Sequence, residues 1–128
     1  MKNINVAILG AGNIARNMAK TVPAVPGAVP YAIASRDMEK AERYRAEYGF
    51  ARAYGSYEAM LADPAVDLVY IAVPHGLHAQ RMLEVLEADK HVLCEKPFTL
   101  TAGEAETVLA LAEKKGLFAV RFPPERRG

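Results

Sequence analysis

Residues 4–15, INVAILGAGNIA, contain the clearest indication of the fold. Its first half, Ile4–Leu9, is a short apolar run rich in β-branched residues, which predicts a buried strand. The second half is a G-x-G-x-x-A motif that closes this strand and opens a helix, the context in which the motif binds a dinucleotide. The segment therefore predicts a nucleotide site. A glycine turn in some other α/β protein, or an S-adenosylmethionine site, would have the same pattern.

Each small residue of the motif has its own expected role. Gly10 permits the tight turn, Gly12 lets the backbone approach a pyrophosphate, and Ala15 allows the helix to pack closely on the sheet. Free backbone N–H groups at the helix N-terminus attract phosphates. We therefore expect the turn and the first helical residues to bind the cofactor, namely Gly10, Ala11, Gly12, Asn13 and Ile14.

Apolar runs and helical patterns alternate along the rest of the chain. The run Asp67–Val73 (DLVYIAV) is the clearest buried strand, and near-continuous apolar strands are typical of a parallel sheet covered on both faces. Prolines and a glycine in 23–30 predict a loop before a second strand at Tyr31–Ala34. The fold class is therefore α/β, a doubly wound parallel sheet of the Rossmann type. It would form a dinucleotide-binding domain over residues 1–122, followed by a disordered or truncated tail at 123–128.

Several helix boundaries carry their own signals. Gly49 is expected to stop the second helix, and Ser56 is a suitable N-cap for the third. The pattern T-A-G-E, Thr101 to Glu104, is a capping box before an apolar run. That last helix should end near Gly116, after two lysines at the negative end of its dipole.

The bulk composition limits the class of protein. The chain has 128 residues, 52% hydrophobic and 24% charged, which indicates one globular domain and not a disordered segment. With a net charge of +1, there is no electrostatic case for nucleic acid or a membrane surface as a partner. No run approaches the ~20 apolar residues of a membrane span. The single cysteine, Cys94, excludes an intramolecular disulfide and a multi-cysteine metal site, and it fits a reducing cytoplasm.

The end of the second strand indicates which dinucleotide binds. An acidic residue there would hold the ribose 2′-hydroxyl of NAD, whereas an arginine accommodates the 2′-phosphate of NADP. Here the sequence is Ser35-Arg36-Asp37. Ser35 can donate a hydrogen bond and Arg36 can pair with a phosphate, which favours NADP, with NAD as the second choice. Asp37 could instead bind a ribose, or it could be the N-cap of the next helix with Arg36 a solvated charge.

Two further unusual segments follow predicted strands. Val73-Pro74-His75-Gly-Leu-His78 comes after DLVYIAV, and Glu95-Lys96-Pro97 comes after HVLC. Ligands of doubly wound sheets bind at the carboxyl ends of the strands, so both segments are expected near the cofactor. On spacing alone, the glutamate and lysine could be a solvated loop pair and the histidines could be helix caps. The two histidines have no evident third ligand, so no metal site is predicted.

Together, GAGNIA, ASRD, VYIAVPHGLH and VLCEKP resemble the N-terminal half of the glucose–fructose oxidoreductase, inositol dehydrogenase and MocA-like (Gfo/Idh/MocA) oxidoreductase family. The pattern is most similar to the dihydrodiol dehydrogenase type, which uses NADP. The resemblance covers roughly residues 3–120, and E-K-P at this place is a specific motif. It implies an NADP-dependent oxidoreductase domain that transfers hydride between nicotinamide and a sugar, polyol or diol, or the matching carbonyl compound.

The resemblance also implies roles for the residues of the two segments. In that family the E-K-P lysine lies beside the nicotinamide and the reacting oxygen, so Lys96 is the expected catalytic residue. Its ammonium would stabilise the alkoxide charge that develops during hydride transfer. Glu95 would lie near the cofactor ribose, and Pro97, after a typically cis bond, would aim the lysine. His75 and His78 match the family's N/H-x-x-H segment, with His78 on the nicotinamide side.

The end of the sequence departs from the family pattern. Family members continue into a larger α+β domain that carries the substrate pocket and the acid–base partner, whereas here RFPPERRG follows the last strand. We therefore expect that C-terminal domain to be absent, with cofactor binding but little or no turnover by this chain. The alternative is a nucleotide-binding module without catalysis, or a remnant. A methyltransferase would leave E-K-P and S-R-D without a role.

Overall fold

The computed structural model describes residues 3–72, 78–95, 102–117 and 119–122, in which strands and helices alternate. The strands are β1 (Ile4–Leu9), β2 (Ala28–Ala34), β3 (Arg52–Tyr54), β4 (Leu68–Ile71), β5 (His91–Glu95) and β6 (Ala119–Phe122). The α-helices are α1 (Asn13–Thr21), α2 (Met38–Tyr48), α3 (Tyr57–Leu61), α4 (His78–Glu87) and α5 (Ala102–Lys115), and a short 3₁₀ turn, Val22–Ala24, follows α1. The alternation predicted from the apolar pattern is confirmed.

The strands form one sheet in the order β3-β2-β1-β4-β5-β6, and every neighbouring pair is parallel. This is the strand order of a doubly wound Rossmann sheet, so the predicted fold class is confirmed. The order reverses between β1 and β4, because the chain first moves outward from β1 to β3 and then continues on the other side of β1. Ligands of such sheets bind outside the carboxyl ends of the strands at this reversal.

Two apolar cores cover the two faces of the sheet. On one face, Ile8 and Ile33 pack with Ala15 of α1 and Tyr44 of α2. On the other face, the neighbouring strand residues, such as Leu9, pack with α3, α4 and α5. Successive side chains of a strand point to opposite faces, so a strand covered on both sides must be apolar at every position. The helices are thus held on both faces, and their N-termini lie near the carboxyl ends of the strands.

The strand β2 corrects one prediction from the sequence. The segment 23–30 was expected to be a loop, but β2 begins at Ala28 and includes Pro30. Proline cannot donate a hydrogen bond to a sheet, and it is tolerated where the ladder is irregular. Here the register of β1 with β2 shifts between Val6 and Ala7, which leaves Tyr31 unpaired just after the proline. This irregular register accommodates the N–H group that proline lacks. The local sequence pattern did not indicate it.

The helix boundaries follow the sequence signals where the structure describes them. Gly49 ends α2 in the left-handed conformation, with φ of 76°, and Gly116 follows α5 with φ of 69°. The Oγ atom of Ser56 accepts a hydrogen bond of 3.1 Å from the backbone N–H of Ala59, as expected of an N-cap. Thr101 of the predicted capping box lies outside the described residues.

A carboxylate that was not predicted to matter joins three parts of the fold. The Oδ2 atom of Asp63 accepts hydrogen bonds from the hydroxyls of Tyr31 in β2 (2.8 Å) and Tyr54 in β3 (2.6 Å). Its Oδ1 atom accepts one from the backbone N–H of Ala65 (2.9 Å). Three donors on one carboxylate hold the segment between α3 and β4 against the sheet.

Candidate functional site

The carboxyl edge of the sheet brings together those predicted site residues that the structure describes. Because all the strands are parallel, the ends of β1, β2, β4 and β5 lie along the same edge. Gly10 follows β1, Ser35 follows β2 and Glu95 is the last residue of β5. The backbone N–H of Gly10 donates to the carbonyl of Ala34 at 2.8 Å, which joins the glycine turn directly to the end of β2.

The glycine turn has the two properties that a phosphate-binding turn requires. Gly10 is buried and has φ of +118°, a conformation that side chains disfavour, so glycine is needed there for the turn itself. Gly12 has φ of −109°, which any residue can adopt, and a Cβ atom built on it would meet no protein atom within 4 Å. The protein therefore does not need glycine at position 12 for its own packing, and the open space is where a phosphate would approach the backbone.

The N-terminus of α1 is arranged as an anion site. Within the described structure, its N-cap residue Gly12 makes no side-chain cap and its first turn carries no acidic residue. The N–H groups of this turn are therefore available to phosphate oxygens, and no acidic side chain of the first turn of α1 repels the ligand. Ala15 is fully buried against the sheet, as close helix packing requires. Ala11 is also buried, while Asn13 and Ile14 form the first turn of the helix. These residues fit the pyrophosphate of a dinucleotide.

The segment after β2 separates the two roles that Asp37 could have. Asp37 is the N-cap of α2, and its Oδ1 atom accepts hydrogen bonds from the backbone N–H groups of Glu39 (3.0 Å) and Lys40 (3.4 Å). Ser35 is buried, and its Oγ atom accepts a bond of 3.1 Å from the Asp37 N–H, which leaves its own hydroxyl proton to donate. Arg36 is exposed to solvent between them. The Asp37 carboxylate thus caps α2, and the exposed guanidinium of Arg36 is available to a ligand.

Sequence reasoning missed a contact between α1 and α2 at this site. Tyr44 of α2 is buried, and its hydroxyl donates to the carbonyl of Gly12 at 3.3 Å. The guanidinium of Arg16 lies over the Tyr44 ring, 5.8 Å from its centroid, and one of its N–H groups donates to the hydroxyl at 3.5 Å. A helical face containing Tyr44 and an arginine just after the glycine motif were both visible in the sequence. The contact between the Arg16 and Tyr44 side chains could not be seen in the sequence.

The remaining predicted site residues are only partly within the described structure. His78 is the first residue of α4 and Glu95 the last of β5, which places their backbones at the carboxyl edge. Val73, Pro74, His75, Lys96 and Pro97 lie outside the described residues. Their roles stay predictions.

A groove of about 540 Å³ opens at the opposite edge of the sheet, beside Asp67, Lys90 and His91. The charged groups of Asp67 and Lys90 already have partners within the protein. The Oδ2 atom of Asp67 accepts from the backbone N–H of Asn5 at 2.9 Å. The Nζ atom of Lys90 donates to the carbonyls of Asp63 (2.9 Å) and Val66 (3.0 Å), and burial lowers the pKa of this lysine. We assign these groups to folding, because ligands of this fold bind at the carboxyl edge.

The described part of the chain contains neither a cluster of metal-ligand side chains nor a helix that could span a membrane. No three His, Cys, Asp or Glu side chains of residues 3–72, 78–95, 102–117 and 119–122 come together as metal ligands would. Within the same ranges no helix combines the length and the apolar content that crossing a bilayer requires. Since His75 is outside these ranges, the absence of a metal stays a prediction.

Similarity to known proteins agrees with this geometry. Residues 4–122 match the family model GFO_IDH_MocA, described as an oxidoreductase family with an NAD-binding Rossmann fold. D-xylose 1-dehydrogenase (NADP(+)) 2 from Haloferax volcanii is 42% identical over 91% of this chain and 38% of its own length. Trans-1,2-dihydrobenzene-1,2-diol dehydrogenase from Xenopus tropicalis is 37% identical, over 87% of this chain and 34% of its own.

A solved structure gives the same result in three dimensions. KijD10, a 3-ketoreductase from Actinomadura kijaniata in complex with NADP and TDP-benzene, superposes with a TM-score of 0.90 at 34% identity. The match covers 94% of this chain and 37% of KijD10. The chain thus spans little more than a third of the length of these proteins. With its glycine turn, its strand order and the matched residues 4–122, the chain belongs to the Gfo/Idh/MocA oxidoreductase family and comprises its NAD-binding Rossmann domain.

Proposed function

We propose that this domain binds NADP for an oxidoreductase that transfers hydride between the nicotinamide and a sugar, polyol or diol, or the matching carbonyl compound. The observation that carries the choice of NADP is at the end of β2. Asp37 is engaged as the cap of α2, while the buried Ser35 and the exposed Arg36 offer a hydroxyl donor and a cation to a 2′-phosphate. NAD is the second choice. The proposed location is the cytoplasm.

The names of the similar proteins support the cofactor and the substrate class. One relative is named as an NADP-dependent dehydrogenase of D-xylose and another as a dehydrogenase of a dihydrodiol. KijD10 was solved in complex with NADP. These substrates share an alcohol carbon that hydride transfer oxidises or restores. We extend that class, and not any one substrate, to the present chain.

In the proposed reaction the protein supplies positioning and charge. Bound NADP would supply the hydride chemistry. Lys96, which directly follows β5, would place its ammonium beside the reacting oxygen and stabilise alkoxide charge there. Glu95 would contact the cofactor ribose, Pro97 would fix the direction of Lys96, and Val73, Pro74, His75 and His78 would border the nicotinamide side. These roles follow from the family resemblance and from the strands that precede the residues.

The cofactor preference can be tested with Arg36→Ala. A guanidinium that pairs with the 2′-phosphate contributes to NADPH binding but has no such partner in NADH, so we expect about tenfold weaker NADPH binding and nearly unchanged NADH binding. Titration of the purified chain with each nucleotide, followed by nucleotide fluorescence, measures both. Arg43→Ala is the matched control, because Arg43 is an exposed arginine of α2 outside the β2–α2 turn. Tighter binding of NADH than NADPH by the unmodified chain would contradict the proposal.

A turnover assay separates this proposal from a nucleotide-binding module without catalysis. The chain is incubated with NADP⁺ and D-xylose or a dihydrodiol, and NADPH formation is followed by absorbance. Substrate-dependent formation of NADPH supports the oxidoreductase. NADPH binding at micromolar concentrations with no turnover on any sugar, polyol or diol favours the non-catalytic module for this chain.

A further inference from the structure

We propose that Arg16 is a second cationic contact for the 2′-phosphate of NADP, held in place by Tyr44. The inference rests on the proposed function, because it assumes that NADP occupies the carboxyl edge. It goes beyond that function by assigning to α1 a specificity-determining side chain in addition to Arg36 of the β2–α2 turn. The position of Arg16, directly after the glycine motif, is not one of those from which the sequence predicted cofactor contact.

Arg16 is held against the ring of a buried tyrosine, Tyr44. Its guanidinium lies over the face of the Tyr44 ring, 5.8 Å from the centroid, and donates to the ring hydroxyl at 3.5 Å. Tyr44 is itself fixed by burial and by an edge-on contact with Tyr48, with ring centroids 5.7 Å apart. A guanidinium stacked on an aromatic face keeps N–H groups along its edge for a phosphate. The Tyr44 ring therefore reduces the motion of Arg16 while engaging only one of its N–H donors.

The Tyr44 ring lies beside the glycine turn that is expected to bind the pyrophosphate. The Tyr44 hydroxyl donates to the carbonyl of Gly12 at 3.3 Å, so Arg16 is separated from the phosphate turn by a single hydroxyl group. The same turn is bonded to the end of β2 through Gly10 and Ala34. Arg16 thus lies on the side of α1 that faces α2. Ser35 and Arg36 lie between β2 and α2, on the same side of α1. In this fold the ribose 2′-position is recognised at the end of β2.

The positive charge of Arg16 is available to a ligand. Within the described part of the chain, Arg16 forms no salt bridge, in contrast to Arg45 with Glu42 and Arg81 with Glu84. Glu47 attracts it only at longer range. An exposed guanidinium without an ion pair can bind a phosphate without first breaking one. The pyrophosphate is expected on the backbone N–H groups of α1, which leaves the 2′-phosphate as the group that needs side-chain cations.

The test uses pairs of ligands that differ only in the 2′-phosphate. For Arg16→Ala we expect NADPH affinity to fall about five- to tenfold and NADH affinity to change less than about twofold. Adenosine 2′,5′-bisphosphate should lose affinity by a similar factor, while adenosine 5′-monophosphate should not. Arg43→Ala is the matched control. Tyr44→Phe keeps the ring but removes the hydroxyl that contacts both Arg16 and the Gly12 carbonyl, so NADPH affinity should fall about two- to threefold more than NADH affinity, as expected of a positioning residue.

Each outcome has a distinct meaning. An equal loss for NADPH and NADH would place Arg16 on the pyrophosphate and overturn the assignment. No loss for either, with Arg36→Ala still selective, would overturn it too and leave the proposed function intact. Failure of the unmodified chain to prefer NADPH would instead refute the proposed function. If Arg16→Ala lowers the melting temperature, Arg16→Gln, which keeps a donor toward Tyr44 but removes the charge, provides the same comparison in a folded protein.

Discussion

Gly12→Ala is expected to weaken dinucleotide binding by about 100-fold while leaving the folded state unchanged, because the added methyl group occupies the space a pyrophosphate must enter. The fold itself tolerates the methyl group: φ is −109°, and the new Cβ would meet no protein atom within 4 Å. Thermal unfolding and NADPH titration of the same preparation measure the two effects. A binding loss with an unchanged melting temperature identifies Gly12 as a ligand-contacting position.

Gly49→Ala is the matched control, and its expected effects are the reverse. Gly49 has φ of 76°, so alanine there should lower the free energy of unfolding by about 1 kcal/mol. Gly49 lies at the C-terminus of α2, away from the glycine turn, so nucleotide binding should not change. If Gly12→Ala destabilised the protein as Gly49→Ala does, or if it bound NADPH normally, the pyrophosphate would not lie against Gly12.

Asp63→Ala is expected to lower the free energy of unfolding by about 2–3 kcal/mol at neutral pH, since it removes the acceptor of three hydrogen bonds at once. The hydroxyls of Tyr31 and Tyr54 and the backbone N–H of Ala65 would each lose their partner. Denaturant unfolding measures the change. Tyr31→Phe is the control, because it removes one of these bonds and leaves no orphaned group on the tyrosine side; it should cost about 1 kcal/mol.

The same network predicts a loss of stability in acid. Burial by itself raises the pKa of Asp63, but the hydrogen bonds from Tyr54, Ala65 and Tyr31 outweigh it, so the pKa lies below its ordinary value. A carboxyl group with a lowered folded pKa stabilises the protein above its unfolded pKa of about 3.9, and this stabilisation is lost as the pH falls through the folded pKa. Asp63→Asn should remove this part of the pH dependence. An unchanged acid transition in Asp63→Asn would show that other carboxylates cause it.

Tyr54 predicts a loss of stability at alkaline pH, the opposite pH direction from Asp63. Burial, followed by the hydrogen bond to Asp63, raises the pKa of Tyr54 to about 12. A phenol whose folded pKa is raised contributes stability below its unfolded pKa of about 10, and this contribution is lost as the pH rises toward 12. Tyr54→Phe should therefore flatten the alkaline side of the stability profile, measured by denaturant unfolding at several pH values. Because the variant also removes a hydrogen bond that lowers the pKa of Asp63, it should weaken the loss of stability in acid as well.

Much of the fold could be predicted because its signals are local. The apolar run Ile4–Leu9 and the G-x-G-x-x-A motif lie next to each other in the chain, and together they specify a strand, a turn and a helix. Gly49 and Ser56 end and begin helices through contacts within a few residues. The parallel sheet followed from apolar strands separated by helices. The same signals predict the carboxyl edge of the sheet as the location of the site, while the roles of its individual residues stay predictions.

Local patterns along the chain were therefore sufficient to predict the element order, the doubly wound class and the edge at which a nucleotide would bind. The contacts between distant groups became visible only in the folded protein: Tyr44 with the Gly12 carbonyl and Arg16 with Tyr44 at this edge, and Asp63 with two tyrosines elsewhere in the fold. The tertiary structure also placed Pro30 inside β2, where a shift in register accommodates it. The physical reason is that backbone propensity acts over a few neighbouring residues, whereas a hydrogen bond between Asp63 and Tyr31 depends on the packing of elements 32 residues apart.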